Sequence, residues 1–413
     1  MITNKEYNGN INLLLKKKTG GIPMKLKCVN VENYRNFDGV KMDFMPTVNY
    51  IVGENNIGKS NLLLGLNKIF SGKNFCIEDY INRNNPIKFS FTLSLNENEI
   101  GIFDELVDPD NTYDINIVAV QNNADEYIHY SHLETGQPIS LSIIKNINLI
   151  NYDSLRNPKN EIDFSKTRGA GTFLNYKVNS FIENNGDSKT YLNKASIRQL
   201  EKYTKTLLSK ITVFNRFGIT PKIEEDAQKM LSRILILKDG NNVSIAETGY
   251  GVQFNMLLIL SILEKIIDFA KKKDDTDEVV FSALLVFDEP EIHLHPYLQR
   301  TIIKDMLSIA EGHNEKFNEL IKELFGIDKF EGQIIIATHS PNIIESDYTK
   351  IIRMFNKNNK VNVISGSQLG LNFQHQKQLA MQFEYVKEAV FSRAIIIVEG
   401  DSEYGSFKQF SLI

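Results

Sequence analysis

The stretch Gly53-Glu54-Asn55-Asn56-Ile57-Gly58-Lys59-Ser60 restricts this chain more than any other. It matches G-x-x-x-x-G-K-[ST], follows the apolar run Val48 to Val52, and opens SNLLLGLNKIF, where Leu62, Leu63, Leu66 and Ile69 recur at helical spacing. Strand, loop and helix in that order make a phosphate cradle. The glycines let backbone N–H groups close around phosphate oxygens, and the helix N-terminus adds partial positive charge. Lys59 is placed to reach the β- and γ-phosphates, and the Ser60 hydroxyl to ligate Mg²⁺. Gly53, Asn55, Asn56, Gly58, Lys59, Ser60 and the adjoining Asn61 are the expected nucleotide contacts, with ATP and Mg²⁺ as cofactors.

Two further apolar runs end in groups that suit such a cradle. Ala283-Leu-Leu-Val-Phe287 runs into Asp288-Glu289. In an open α/β sheet the carboxyl ends of the strands are where ligands sit, so Asp288 is the expected Mg²⁺ partner. Glu289 is then the group that orients and deprotonates an attacking water. Gln333-Ile-Ile-Ile-Ala337 ends in Thr338-His339-Ser340-Pro341, where His339 can sense a γ-phosphate and hydrogen-bond Glu289. Alone, such an acidic pair reads as a loop or helix cap and such a histidine as a surface residue. Three strand-end motifs in this order point to catalysis by Glu289 and His339.

The remaining pattern predicts an α/β fold with a mixed sheet flanked by helices. Ile87 to Leu95 alternates apolar and polar residues, and Tyr113 to Val120 looks similar, as half-buried antiparallel strands do. From about Thr167 to Leu237 the chain is polar and largely helical, with an apolar face over Ile197 to Ile211, and is read as an inserted subdomain. LILKDGNNVSIAE carries a hairpin signal at Asp239-Gly240. Beyond it, helix Phe254 to Phe269, strand Val280 to Phe287, helix Pro296 to Ile309 and strands Gln333 to Ala337 and Lys350 to Phe355 imply a parallel sheet. The expected divisions are an arm at 1–23, an N-terminal lobe at 24–166, the insert at 167–237, a C-terminal lobe at 238–370 and a closing segment at 371–413.

Together GENNIGKSN, FDEPEIHLHP and ATHSP resemble the ABC-type P-loop ATPases of SMC, RecF and OLD proteins, and most of all the ATPase half of OLD nucleases, to which Gabija-type defence nucleases are related. The resemblance covers Met24 to about Phe355. It implies that NYRNF lies near the nucleotide, with Arg35 a contact, and that Glu291 to His295 meet a second subunit. It further implies a signature loop that closes on the nucleotide of a neighbouring subunit. Thr248-Gly249-Tyr250-Gly251-Val252-Gln253 is the candidate, with Thr248, Gly249 and Gly251 as contacts, and a plain glycine loop is the rival reading. A homodimer or higher even oligomer is expected, the insert serving as its dimerisation subdomain. No residue is assigned to the glutamine loop. Arg393 to Val398 running into Glu399-Gly400-Asp401-Ser402-Glu403 looks like the first strand and acidic loop of a Toprim nuclease fold, which would make Glu399 and Glu403 metal ligands. The chain stops at Ile413, before the later Asp-x-Asp pair of that fold, so a truncated Toprim domain and no DNA cleavage by this chain alone are expected.

Composition narrows the partners. A net charge of -4 argues against a wholly basic nucleic-acid coat while permitting a local basic stripe, so DNA as a partner rests on the motifs. Two cysteines, Cys28 and Cys76, are too few for a disulfide scaffold and fit a reducing cytoplasm. The longest apolar runs fall short of the roughly 18 to 20 residues that cross a bilayer, so no membrane contact is expected. Residues 1–23 carry no motif, and Thr19-Gly20-Gly21 can be encoded by a ribosome-binding sequence ahead of Met24. They read as translated leader, the rival being a disordered or helical arm. The functional expectation is ATP hydrolysis within an OLD-like DNA nuclease, in DNA processing or antiphage defence. The alternative is a stand-alone regulatory ATPase that controls a separate effector protein.

Overall fold

The computed structural model describes residues 25–95, 114–145, 147–152, 194–222, 236–270, 279–292 and 294–392, with 172, 173, 176, 177, 180 and 400. The arm at 1–23, the run Arg393 to Val398, Glu399 and Glu403 lie outside the described residues.

The described elements are, in chain order, β1 (Lys25–Glu32), β2 (Val40–Asp43), β3 (Val48–Gly53), α1 (Lys59–Ser71), β4 (Ile87–Ser94), β5 (Asp114–Gln121), β6 (His129–His132), α2 (Leu141–Lys145) and β7 (Leu149–Tyr152). There follow α3 (Lys194–Leu208), α4 (Thr212–Arg216), β8 (Thr220–Lys222), β9 (Ile236–Lys238), α5 (Tyr250–Ala270), β10 (Val280–Asp288), α6 (Pro296–Ala310) and α7 (Glu315–Phe325). The series ends with β11 (Lys329–Ala337), β12 (Ile351–Lys357), β13 (Lys360–Ser365), α8 (Phe373–Met381) and α9 (Phe383–Ala389).

Six strands build the central sheet in the order β13-β12-β3-β11-β10-β7. Its neighbours pair in parallel except β12 with β13, which are antiparallel. Strands covered on both faces read as unbroken apolar runs, and every residue of β3 is buried. Alternation still sorts them. Val48, Tyr50, Val52, Leu285, Phe287, Ile334 and Ile336 join one core with α5, α6 and α7, while Ile51, Leu284, Val286, Ile335 and Ala337 join the other. That second core lies against α1, whose Leu62, Leu63, Leu66, Ile69 and Phe70 are buried as their spacing predicts. Beyond α1 stands a five-stranded antiparallel sheet, β2-β1-β4-β5-β6, whose β4 shows strict alternation of buried and half-buried residues. α1 is thus held between two sheets, and its first turn is anchored where the strands of the central sheet end.

Two readings are revised. The hairpin at Asp239-Gly240 shrinks to a single bridge, Lys238 with Ser244, because β9 takes β8 as its ladder partner and Ile245–Glu247 coils into a 3-10 turn. This β8–β9 ribbon spans residue 237, where the insert was expected to end. The helix expected from Phe254 begins at Tyr250, inside the signature candidate, and runs for 21 residues.

Candidate functional site

The loop between β3 and α1 has a shape that only small residues permit at two points. Gly53 has φ 154°, and a Cβ there would stand 2.3 Å from the Met354 carbonyl oxygen. Gly58 has φ 108°, and a Cβ would stand 2.2 Å from Asn36 Nδ2. Around this loop lies a cavity of about 760 Å³ lined by Asn55, Asn56, Gly58, Lys59, Ser60, Asn61, Glu289 and His339. All eight were expected to bind nucleotide or to act on it, and Gly53 lies beside His339 in an adjoining hollow.

Lys59 is buried, and its ammonium donates to the carbonyls of Gly53 at 3.0 Å and Glu54 at 2.9 Å. Burial pulls it down to about 8, against the opposing pull of Glu289, Asp288 and Glu291. Ser60 Oγ donates to Asp288 Oδ1 at 3.0 Å, joining the head of α1 to the tip of β10 across 228 residues of sequence. These are hard oxygen donors, the set Mg²⁺ takes when it binds one or two protein groups and completes its shell with water and phosphate.

β10 and β11 run in register so that Asp288 faces Ala337, which brings Glu289 and Thr338-His339 to one sheet edge. His339 Nε2 lies 3.2 Å from Glu289 Oε1. Burial and the Lys59 charge hold His339 below its ordinary value, with Glu289 pulling the other way. The imidazole beside Glu289 is therefore neutral near pH 7. Glu289 adopts φ 48°, a conformation uncommon for a side chain of its size, and its N–H donates to the Ala337 carbonyl at 2.8 Å.

Arg35 stands one residue behind the cavity wall. Its Nε donates to Asp79 Oδ1 at 2.7 Å and its Nη1 to Asn61 Oδ1 at 2.6 Å. Asn61 Nδ2 in turn donates to Asn36 Oδ1 at 3.0 Å, and Asn36 Nδ2 to the Ile57 carbonyl at 2.6 Å. Arg35 therefore orders the phosphate loop through Asn61 and Asn36. Asp79, fully buried, also receives Lys68 and was not singled out from sequence. It sits in a three-residue 3-10 turn with no periodicity to mark it, and the unpaired arginine in NYRNF was the one available hint of a carboxylate partner.

Thr248, Gly249 and Gly251 do not line the cavity that holds Lys59. Gln253 is buried, its Nε2 donating to the Thr248 carbonyl at 2.8 Å and closing the turn at the head of α5. Gly249 has open space around it. Among the described residues no group of three or more His, Cys, Asp or Glu side chains could hold a metal ion, and no helix is long and apolar enough to cross a membrane.

A family model described as AAA ATPase domain matches residues 24–168 and 172–344. Endonuclease GajA of Bacillus cereus (strain HuB5-5) is 25% identical over 325 residues, covering 70% of this chain and 44% of that protein. The DNA replication and repair protein RecF of Staphylococcus haemolyticus (strain JCSC1435) is 52% identical over 40 residues, 10% of this chain and 11% of that one. The chain thus spans less than half the length of these curated relatives. Among solved structures, the Smc head domain bound to the C-terminal domain of ScpA, derived from Pyrococcus furiosus, aligns with a TM-score of 0.45 at 16% identity, covering 87% of this chain and 99% of that one. The chain belongs to the AAA ATPase domain family, and its fold is mixed α/β, with sheets flanked by helices.

Proposed function

From that membership we propose that the chain binds Mg·ATP in the cavity beneath the phosphate loop and hydrolyses it, and that turnover serves a DNA-acting nuclease system of the OLD and GajA kind. The observation that carries this reading is the convergence of Lys59, Ser60, Glu289 and His339, from three separate strand ends, on one cavity, with Asp288 bonded to Ser60 behind its wall.

In this reading the triphosphate takes the place of the Gly53 and Glu54 carbonyls as partner of the Lys59 ammonium, and the N–H groups at the head of α1 close on its oxygens. Ser60 and Asp288 would hold Mg²⁺, which neutralises phosphate charge when bound. Glu289 accepts a proton from the attacking water, and His339 holds the Glu289 carboxylate in place while its ring faces the end of the phosphate chain. The Thr248–Gln253 turn, absent from this cavity, serves the nucleotide of a second copy, so hydrolysis requires a dimer.

Titration calorimetry and phosphate release test the assignment. Lys59→Ala is expected to lose measurable ATP binding. Glu289→Gln is expected to keep ATP bound while slowing release by roughly 10² or more, as loss of a general base does. Equal binding in wild type and Lys59→Ala, or equal rates in wild type and Glu289→Gln, would sink it. Duplex DNA is expected to change the rate; a rate indifferent to DNA would favour a regulatory ATPase acting on a separate effector protein.

A further inference from the structure

The loop that follows Glu289 is tied to the His339 loop by two side chains outside the nucleotide cavity. Glu291 Oε1 accepts two bonds, from Thr338 Oγ1 at 2.7 Å and from the His339 N–H at 2.6 Å. Thr338 Oγ1 also receives the Ser340 N–H at 2.9 Å, so the bend of this loop is set around one carboxylate oxygen. Gln299, on the first turn of α6, closes the other side. Its Oε1 accepts from Ser340 Oγ at 2.7 Å and its Nε2 donates to the Leu294 carbonyl at 2.9 Å. Leu294 N donates to the Glu291 carbonyl at 3.0 Å. The two loops form one hydrogen-bonded clasp.

The same clasp touches the turn expected to act on a second subunit. Leu294 and Leu298 pack on Gly251 so closely that a Cβ there would stand 3.0 Å from one and 3.2 Å from the other. Displacement of the Thr248–Gln253 turn is therefore felt first at Leu294, and through Glu291 and Gln299 at His339. Glu291 Oε2 is closed off from solvent and meets no hydrogen-bond partner, so burying this carboxyl carries a cost that packing alone does not explain. Buried polar groups kept at such a cost hold a geometry.

We infer that Glu291 is a positioning residue for hydrolysis: by accepting the His339 N–H and the Thr338 hydroxyl it sets the His339 ring against Glu289 and makes that placement depend on the Thr248–Gln253 turn packed on Leu294. This rests on the proposed ATP hydrolysis. What Glu291 supplies is an acceptor oxygen, which a glutamine at the same position also presents.

The prediction is a split between rate and binding. Glu291→Ala loses both acceptors and is expected to lower kcat by on the order of 10- to 100-fold, the usual cost of a misplaced catalytic group. The Kd for Mg·ATP, read with a fluorescent ATP analogue, is expected to stay within about threefold, since Glu291 lines no part of the cavity. Glu291→Gln is expected to recover the rate to within about threefold of wild type, and Thr338→Val to fall between the two. A second measurement needs no turnover. In protein with 15N-labelled histidine, the His339 ring signal is identified among the seven histidines by its loss in His339→Gln. Its titration midpoint, held low by burial and the Lys59 charge against the opposing pull of Glu289, is expected to shift in Glu291→Ala and to stay in place in Glu291→Gln. Unchanged kcat and unchanged His339 titration in Glu291→Ala would overturn the inference. So would Glu291→Gln falling as far as Glu291→Ala, which would show that the charge is what matters. Absence of turnover in wild type would instead remove the hydrolysis reading and leave the histidine titration to decide on Glu291.

Discussion

Lys59 carries its charge where burial disfavours it. Its ammonium titrates at about 8 and is held by two loop carbonyls, so half of it is neutral in mildly alkaline solution. Phosphate oxygens in place of those carbonyls raise that value, which means ATP binding takes up a proton when the pH is at or above 8. The affinity is then full below pH 8 and falls as pH rises beyond it, by up to about tenfold per unit until the value of the bound state is passed. Calorimetry between pH 7 and 10, in buffers of different ionisation enthalpy, is expected to show both the weakening and the proton uptake. A flat affinity across that range would mean that Lys59 stays charged in the free protein. Glu289, one of the opposing charges, is held at φ 48° by its own N–H bond to Ala337, so its side chain is aimed by backbone that packing over-determines.

At the scale of the element, the Ile77–Asp79 turn works as a fastener for the phosphate loop. Burial raises the Asp79 carboxyl, but bonds from Lys68, Arg35 and the Cys76 backbone and thiol outweigh it and bring the value to about 2. The unfolded chain titrates this group near 3.9, so its contribution is present above about pH 4 and is lost as pH falls toward 2. A shift from 3.8 to about 2 corresponds to about 2 kcal/mol. Asp79→Asn leaves Arg35 and Lys68 without their counter-charge and is expected to cost on the order of 2 to 3 kcal/mol at pH 7. Urea unfolding at pH 7 and pH 3 checks this: the gap between variant and wild type is expected to narrow at the lower pH. ATP affinity is expected to weaken with it, because Arg35 reaches the loop through Asn61 and Asn36. A variant as stable as wild type at both pH values would remove the fastener role.

On the scale of the whole molecule, the two-copy site we propose needs two groups of residues that stand apart in one chain. Lys59, Ser60, Glu289 and His339 share one cavity, and Thr248, Gly249 and Gly251 stand elsewhere at the head of α5. Gly249 has no atom within contact range of an added Cβ, so Gly249→Glu is expected to leave the fold, its melting temperature and ATP binding intact. Its carboxylate would meet the phosphates of a second copy, and turnover is expected to fall at least about tenfold through like-charge repulsion. Light scattering with ATP is expected to report an even oligomer for wild type and a weakened one for Gly249→Glu. A strict monomer with full activity would refute the two-copy site.

Sequence alone determined the phosphate loop, its helix and the two strand tips that carry Asp288, Glu289 and His339. Those features are local: an apolar run, a glycine pattern or a helical period is written within about ten residues. It also determined the half-buried alternation of β4 and the long apolar strands of the central sheet. Tertiary structure decided what depends on distant pairing. The four-residue strands β6 and β7 are too short to show a period, and β9 abandoned its local hairpin for a partner some fourteen residues upstream. Asp79 gained its meaning only from Arg35 and Lys68, and Glu291 only from Thr338 and His339, 47 and 48 residues away. A buried carboxylate is defined by what donates to it, and donors brought from other elements leave no trace in the residues beside it.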